Sequence, residues 1–295
     1  MKKNKFSCLI IGIGNIGMMY DYFKKQNYTT THVSSIMKLK NFTLIGVVDI
    51  NKKKRELFIR KYKLNAYSNI NQIKKNKIDF VIISSPQKSQ YNLLTQVLDK
   101  FKTKVILCEK PFTENLIEAK KINRIVKKKK ANLFINYSRV SDISTDIIKK
   151  ITYKHSSLNA KVFYSKSIIT NCSHFLNLFQ IFFGVPKKIK FINKKLFKIQ
   201  YKTANVDFRK KNALPTNNFT IFNNKFKINY RMNNNKIIFE SNKLKKLISS
   251  YGENINFYVL KNIENFLFKR KYKLCNIKDA IQTHKTLKLI KKTNS

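Results

Sequence analysis

Three glycines and one aspartate near the start of the chain have the spacing to hold a diphosphate and a ribose. The apolar run from Phe6 to Ile11 ends in Gly12-Ile13-Gly14-Asn15-Ile16-Gly17, and a helix-like segment follows. Strand, Gly-x-Gly-x-x-Gly and helix, in that order, is what a dinucleotide-binding turn requires. Gly12 lets the chain turn tightly. Gly14 lacks a Cβ, so a pyrophosphate can approach the backbone. Gly17 lets the helix pack closely on the strand. The free N–H groups at the helix start, around Asn15 and Ile16, then face the phosphates. A second apolar run, Thr43-Leu44-Ile45-Gly46-Val47-Val48, ends in Asp49, whose carboxylate can accept hydrogen bonds from ribose hydroxyls. Asp49 can instead cap the helix after it. It lies 32 residues beyond Gly17 (49 − 17), where about 20 is usual. The excess is assigned to an insertion at Lys24 to Thr31.

The elements that must position these groups alternate. Helical segments are expected at Asn15 to Phe23 and His32 to Leu39. Asn51 can cap a helix from Lys52 to Tyr62, and an extended piece at Asn65 to Tyr67 precedes a helix near Ile70 to Lys75. Continuous apolar strands at Phe80 to Ile83, Val105 to Cys108 and Leu133 to Asn136 are separated by helices at Ser89 to Lys100 and Asn115 to Lys130. This is the pattern of an α/β doubly wound parallel sheet, here over residues 1–136. Ligand groups gather at the carboxyl ends of such strands. That rule collects the glycine turn, Asp49, Ser84-Ser85-Pro86, Glu109-Lys110-Pro111 and Asn136 to Arg139 on one edge.

After about residue 140 the pattern changes, and residues 137–295 are expected to form an α+β domain. A strand is read at Ser156 to Ser165, an apolar helix at His174 to Phe183, and short strands at Lys188–Ile192, Phe197–Lys202, Phe219–Phe222, Phe226–Met232 and Ile237–Glu240. Asn-rich turns, clearest at Asn223-Asn224 and Asn233-Asn234-Asn235, separate the last of them. A mostly antiparallel sheet with one helix on it follows, closed by helices at Asn256–Phe268 and Ile277–Lys291.

Composition bounds the class. With 295 residues and 43% hydrophobic content the chain can bury a sizeable core. No apolar run is long enough to cross a bilayer. The start reads as a plain cytoplasmic one, and no membrane partner is expected. The four cysteines, Cys8, Cys108, Cys172 and Cys275, have no metal-ligand or redox spacing, so reduced thiols and no metal are expected. The formal net charge of +47 raises the possibility of a polyanion binder. The charge is spread through the chain, however, and lysine dominates over arginine, the better reader of bases and phosphates. Asn, Ile, Phe and Tyr are in excess too, as an A/T-rich genome would give. No specific nucleic acid is expected.

Together these motifs resemble the glucose–fructose oxidoreductase / inositol dehydrogenase family (Gfo/Idh/MocA). The residues that carry the resemblance are Gly12 to Gly17, Val47-Val48-Asp49, Ser84-Ser85-Pro86, Cys108-Glu109-Lys110-Pro111-Phe112, Asn136-Tyr137-Ser138-Arg139 and Asn171-Cys172-Ser173-His174-Phe175. It implies a nicotinamide-dependent oxidoreductase moving a hydride to or from a hydroxyl or keto carbon of a sugar, polyol or nucleotide sugar. Lys110 and His174 take the catalytic roles. The lysine would stabilise a developing alkoxide, and the imidazole would exchange the proton near neutral pH. Gly12, Gly14, Asn15, Ile16, Gly17, Asp49, Ser84, Ser85, Pro86, Glu109 and Lys110 would hold the cofactor, and Arg139, Asn171 and Asn177 the substrate. Glu109 could orient Lys110 or the cofactor, and Pro111 fixes the turn. Asp49 favours NAD over NADP, because a carboxylate repels the extra phosphate. Self-association as a dimer or tetramer is the family's habit. The chain departs from the pattern in having Thr170 and Asn177 where carboxylates flank the histidine in relatives, and Gln90 where a histidine is frequent. Those departures support a rival reading, a catalytically weakened or inactive dinucleotide-binding sensor of the same fold.

Overall fold

The computed structural model describes residues 5–24, 29–211, 217–231 and 236–292. It divides into two compact units. The first comprises Met1–Ser141 with Glu253–Lys278, the second Asp142–Gly252 with Asp279–Ser295.

In the first unit the apolar runs become parallel strands β1 (Phe6–Ile11), β2 (Phe42–Val48), β3 (Ala66–Tyr67), β4 (Phe80–Ile83), β5 (Val105–Cys108) and β6 (Asn132–Ile135). They lie in the order β3-β2-β1-β4-β5-β6. Every side chain of β4 and β5 is buried, as the continuous apolar runs require of strands covered on both faces. Helices α1 (His32–Lys38), α2 (Lys52–Tyr62), α3 (Gln87–Lys100) and α4 (Leu116–Lys128) connect them. Thr31, Asn51 and Asn115 each accept a backbone N–H in the first turn of α1, α2 and α4, as expected for Asn51. Order reverses between β1 and β4, and the glycine turn leaves β1 at that point.

Two expectations change here, and a third lies partly outside the described residues. The helix expected at Asn15 to Phe23 is one wide turn over Asn15–Met19. The Gly14 carbonyl accepts from both Met18 and Met19, which opens the helix to a π-type turn. The buried Asp21 carboxylate then ties the chain to Thr31 and Ser34. Of the insertion at Lys24 to Thr31, residues 25–28 lie outside the described residues. The helix near Ile70 to Lys75 is only a 3₁₀ turn, Ile70–Gln72.

The first unit does not end at residue 136. It runs to Ser141 and takes back a later segment. Val259, Leu260 and Ile263 of that segment pack in one apolar cluster with Cys8, Ile10, Val105, Leu107 and Phe134.

The second unit begins with a helix that the sequence pattern did not reveal, α5 (Ile143–Tyr153). It continues through β7 (Leu158–Tyr164), a turn at Ile168–Cys172 and α6 (Ser173–Phe183). The sheet then grows by β8 (Lys188–Asn193), β9 (Leu196–Gln200), β10 (Ala204–Lys210), β11 (Asn218–Phe222), β12 (Phe226–Arg231), β13 (Lys236–Ser241) and β14 (Lys245–Ile248). Its order is β14-β13-β12-β11-β7-β10-β9-β8. All pairs are antiparallel except β7 with β10. β10 and β14 were not foreseen. The Asn233 to Asn235 turn and the strand end at Met232 lie outside the described residues.

The returning helix of the first unit is α7 (Ile255–Leu267), and β15 (Cys275–Asn276) pairs antiparallel with β6. The last helix is α8 (Ile277–Lys292). Three helices, not one, cover the large sheet: Ile148 of α5, the apolar face of α6, and Leu287 and Ile290 of α8 share its core. Strand alternation accounts for this. Phe197, Ile199, Val206, Phe208, Phe219 and Ile221 face the helices, and Lys161, Lys198 and Lys227 face out. Cys8, Cys108, Cys172 and Cys275 are all buried and free. No helix among the described residues is long and apolar enough to cross a membrane, and among them no three His, Cys, Asp or Glu side chains cluster as a metal site.

Candidate active site

The glycine turn is built from three different requirements. Gly12 has φ +90°, and a Cβ there would stand 2.8 Å from the Ser84 backbone. The two strand ends are this close because the Ser84 N–H donates to the Ile11 carbonyl at 2.8 Å and its hydroxyl to the Gly12 carbonyl at 2.5 Å. A Cβ on Gly17 would collide with the Gly12 carbonyl, so Gly17 serves the turn itself rather than helix-to-strand packing alone. Gly14 is the open one: a Cβ would have a single neighbour, the Lys54 Nζ at 3.9 Å. No side chain caps the wide turn that begins at Asn15. Open space above Gly14, uncapped N–H groups and a nearby ammonium are what a pyrophosphate needs. These residues fit a dinucleotide.

Asp49 follows β2 and bends back to this turn. Its Oδ2 accepts the Ile13 N–H at 2.8 Å, and its Oδ1 accepts the Asn51 N–H at 2.8 Å. Asn51, not Asp49, caps α2. Each carboxylate oxygen keeps a lone pair for a ribose hydroxyl. Arg55 donates to the carbonyls of Asp49 and Ile50 and so fixes the loop.

On the other side of β4, β5 ends in Glu109-Lys110-Pro111, and the Lys110–Pro111 peptide is cis. Buried amides clamp this segment. Gln90 of α3 donates to the Glu109 carbonyl at 2.9 Å and accepts the Thr113 N–H at 3.2 Å. Gln87 holds the Thr113 carbonyl. Thr113 has φ 51°, an unfavourable conformation for a β-branched residue, and these two glutamines hold it there. The Glu109 carboxylate is buried. Its Oε1 accepts from His32 Nε2 at 2.9 Å and from Asn136 Nδ2 at 2.6 Å, and its Oε2 accepts the Lys110 N–H at 3.3 Å. Asn136 is held in turn by Asn256 of α7, which donates to the Thr30 carbonyl. Burial pushes the Glu109 carboxyl up. The His32 hydrogen bond and charge, the Asn136 amide and the Lys110 charge outweigh it and hold the group below its ordinary value. Lys110 is half-buried. Ser85, Pro86 and Arg139 follow β4 and β6 on the same sheet edge, Pro86 as the N-cap position of α3 and Arg139 in a 3₁₀ turn.

In the second unit, His174 is the second residue of α6 and is half-buried. The Ser167 and Thr170 hydroxyls and backbones cap the turn before it reciprocally. Asn171 donates to the Ser165 hydroxyl at 3.1 Å and the side-chain Oδ1 of Asn217 at 3.3 Å. Asn177 was read as a substrate contact. Its side chain is buried and donates to Thr283 of α8 at 2.9 Å, so its amide is engaged in packing α6 on α8.

The structure therefore gathers Gly12, Gly14, Asn15, Ile16, Gly17, Asp49, Ser84, Glu109 and Lys110 on one sheet edge. Sequence reasoning missed Lys54 and His32. The pattern gave no warning of Lys54, which is one lysine in a run of three. His32 had a signal: a polar residue directly after a helix cap, at a position that α1 must bury.

A parallel sheet in the order 3-2-1-4-5-6, with a glycine turn where the order reverses, defines a dinucleotide-binding α/β protein. Comparisons carry the assignment further. The model of the Gfo/Idh/MocA oxidoreductase family, NAD-binding Rossmann fold, matches residues 6–137. Glucose-6-phosphate 3-dehydrogenase of Bacillus subtilis is 26% identical over 141 residues, 46% of this chain and 39% of that protein. The match thus spans about two fifths of the curated relative's length. Among solved structures, UDP-N-acetylglucosamine 3-dehydrogenase GnnA from Acidithiobacillus ferrooxidans superposes with a TM-score of 0.78 at 14% identity, over 98% of this chain and 97% of that one. An oxidoreductase from Agrobacterium radiobacter, solved with NAD+, L-tartaric acid and magnesium, gives 0.76 at 13% over 99% and 96%. A super-repressor mutant of Gal80p from Saccharomyces cerevisiae gives 0.78 at 12% over 98% and 96%. At such identities the likeness is one of fold. The family match is confined to residues 6–137, the stretch that forms the parallel sheet and its glycine turn.

Proposed function

We propose that the chain is an NAD-dependent oxidoreductase acting on a hydroxyl or keto carbon of a sugar, polyol or nucleotide sugar. The observation that carries this is the Glu109-Lys110-Pro111 segment, clamped by buried amides two strands from a glycine turn open at Gly14. The nicotinamide, when bound, supplies the two-electron acceptor or donor. The glycine turn and Lys54 take its phosphates, and the spare lone pairs of Asp49 take the adenosine ribose. Lys110 presents a cation to the reacting oxygen and stabilises the charge that develops there. His174 exchanges the substrate proton on its imidazole. Arg139 and Asn171 orient the substrate. The sugar-linked substrates named for the B. subtilis and A. ferrooxidans proteins support the substrate class. The test is turnover of NAD with a panel of sugars, sugar phosphates and nucleotide sugars. Lys110→Ala is expected to lose about 10²-fold or more in kcat.

A second reading has its own support. The Gal80p likeness comes from a repressor, and Asn177 offers no carboxylate near His174. On that reading the chain is a dinucleotide sensor. NADH binding with no turnover across the whole panel would establish it.

A further inference from the structure

Four consecutive cations, Lys52 to Arg55, follow the strand-end Asp49 closely. On charge alone they should draw the extra phosphate of NADP, which carries about −1.5 to −2 near neutral pH. They would then oppose the preference for NAD that the carboxylate gives. Their placement points the other way. Lys52 and Lys53 are exposed, where water and salt screen them. The Lys54 ammonium lies at the open part of the glycine turn, 3.9 Å from where a Cβ on Gly14 would stand. Arg55 is half-buried. One of its guanidinium nitrogens, Nη1, donates to the Asp49 carbonyl at 2.8 Å and to the Ile50 carbonyl at 3.0 Å. Those carbonyls belong to the loop from which the Asp49 side chain reaches back to the glycine turn. The carboxylate itself is anchored on both oxygens, Oδ2 by the Ile13 N–H and Oδ1 by the Asn51 N–H. We propose that Arg55 is a specificity-determining residue: by fastening the Asp49–Ile50 backbone it holds the Asp49 carboxylate in place, and so excludes the 2′-phosphate of NADP.

An acid at this strand end hydrogen-bonds the ribose 2′-hydroxyl and repels a phosphate there. It excludes the phosphate only while it stays in position. On a loose loop the side chain can turn away, and the backbone can relax to offset the hydrogen bonds it gives up. With Arg55 in place, turning away breaks the bonds to Ile13 and Asn51 with no such relaxation. Both hydrogens of Nη1 are engaged by carbonyls, so that nitrogen has none left for a phosphate. Charge and position therefore predict opposite signs. If Arg55 acts as a cation, its removal weakens NADPH more than NADH. If it acts by holding Asp49, its removal lowers the ratio of the NADPH to the NADH dissociation constant.

This inference rests on the reading of the glycine turn and Asp49 as an NAD site, and its test is binding alone. Fluorescence titration with NADH and NADPH at about 0.15 M salt gives both dissociation constants for the parent, Arg55→Met and Lys53→Met. The parent is expected to bind NADH about tenfold or more tighter than NADPH. Arg55→Met is expected to lower that ratio about fivefold. Lys53→Met removes an exposed cation from the same helix turn and is expected to leave the ratio within about twofold of the parent. A ratio that rises in Arg55→Met overturns the proposal, as does an equal fall in Lys53→Met. A role in stability alone would weaken both nucleotides by one factor and leave the ratio unchanged, which overturns it too. If Arg55→Met does not fold, Arg55→Lys replaces it. The lysine keeps the charge but ends one bond short of the donating nitrogen, so the ratio must fall there or the proposal fails. A parent that binds neither nucleotide, or does not prefer NADH, overturns the reading of Asp49 together with this one. A parent that prefers NADH, with the ratio unchanged in the Arg55 variant, overturns this one alone.

Discussion

The two units hold their candidate site residues by different means. In the first, the site is a set of strand ends, and each is fastened by hydrogen bonds from buried polar groups: Ser84 to Gly12, Asp49 to Ile13, Gln90 and His32 to Glu109. In the second, His174 rides on a helix whose other face is almost wholly aromatic and aliphatic. Phe175, Phe179 and Phe182 of α6 each pack edge-on against Phe219 of the sheet. Polar fastening depends on distance and fails sharply when a donor is lost. Apolar packing is tolerant of direction and weakens with the volume removed. The first unit should therefore be sensitive to small, exact changes in chemistry, and the second to changes in bulk.

The largest effect on cofactor binding should come from one added methyl group. Gly12→Ala places a Cβ against the Ser84 backbone at a positive φ. A loss of about 2–5 kcal/mol is expected from strain and overlap together, with NADH binding abolished in fluorescence titration. A variant that melts and binds like the parent would remove the geometric basis of the glycine turn. Phe179→Ala comes next. Phe179 is fully buried and touches four other phenylalanines. A cost of about 3–5 kcal/mol is expected by chemical denaturation, while NADH affinity measured below the melting range changes by less than about twofold. A large loss of affinity would erase the contrast between the units.

The smallest effect is on acid stability. The Glu109 carboxyl lies below its ordinary value of 4.5 in the folded chain. A carboxyl depressed on folding contributes stability that is fully present above its unfolded value and is lost as pH falls through the folded one. From about pH 4.5 downward the parent's melting temperature should therefore fall more steeply than that of Glu109→Gln. Parallel slopes would mean that burial and hydrogen bonding cancel at this residue.

How much of this was legible in the sequence follows the same division. The glycine turn, the strand-end Asp49 and the Glu-Lys-Pro tripeptide are local: each depends on residues a few positions apart, and β1, β4 and β5 read correctly from uninterrupted apolar runs. The helix α5 escaped because Ser144, Thr145 and Thr152 are buried, so its inner face is not an apolar stripe. β10 escaped because it joins β7 in parallel across a long separation, and nothing local announces such a pair. The packing partner of Asn177 escaped for a similar reason. Its partner, Thr283, is 106 residues away. His32 and Glu109 are 77 residues apart, so no spacing rule could have joined them.

The late segment Glu253–Lys278 has a consequence for the birth of the molecule. The nucleotide-binding half receives Val259, Leu260 and Ile263 only after more than a hundred intervening residues have been made. During translation its six parallel strands emerge early and must wait for α7 and β15 before their core is complete. The intervening half, apart from its final helix, leaves the ribosome in the meantime. Growth of the polypeptide from one end thus imposes an order on maturation: the part that emerges first is finished nearly last, and in that interval its unfilled apolar groove is the surface a chaperone would see.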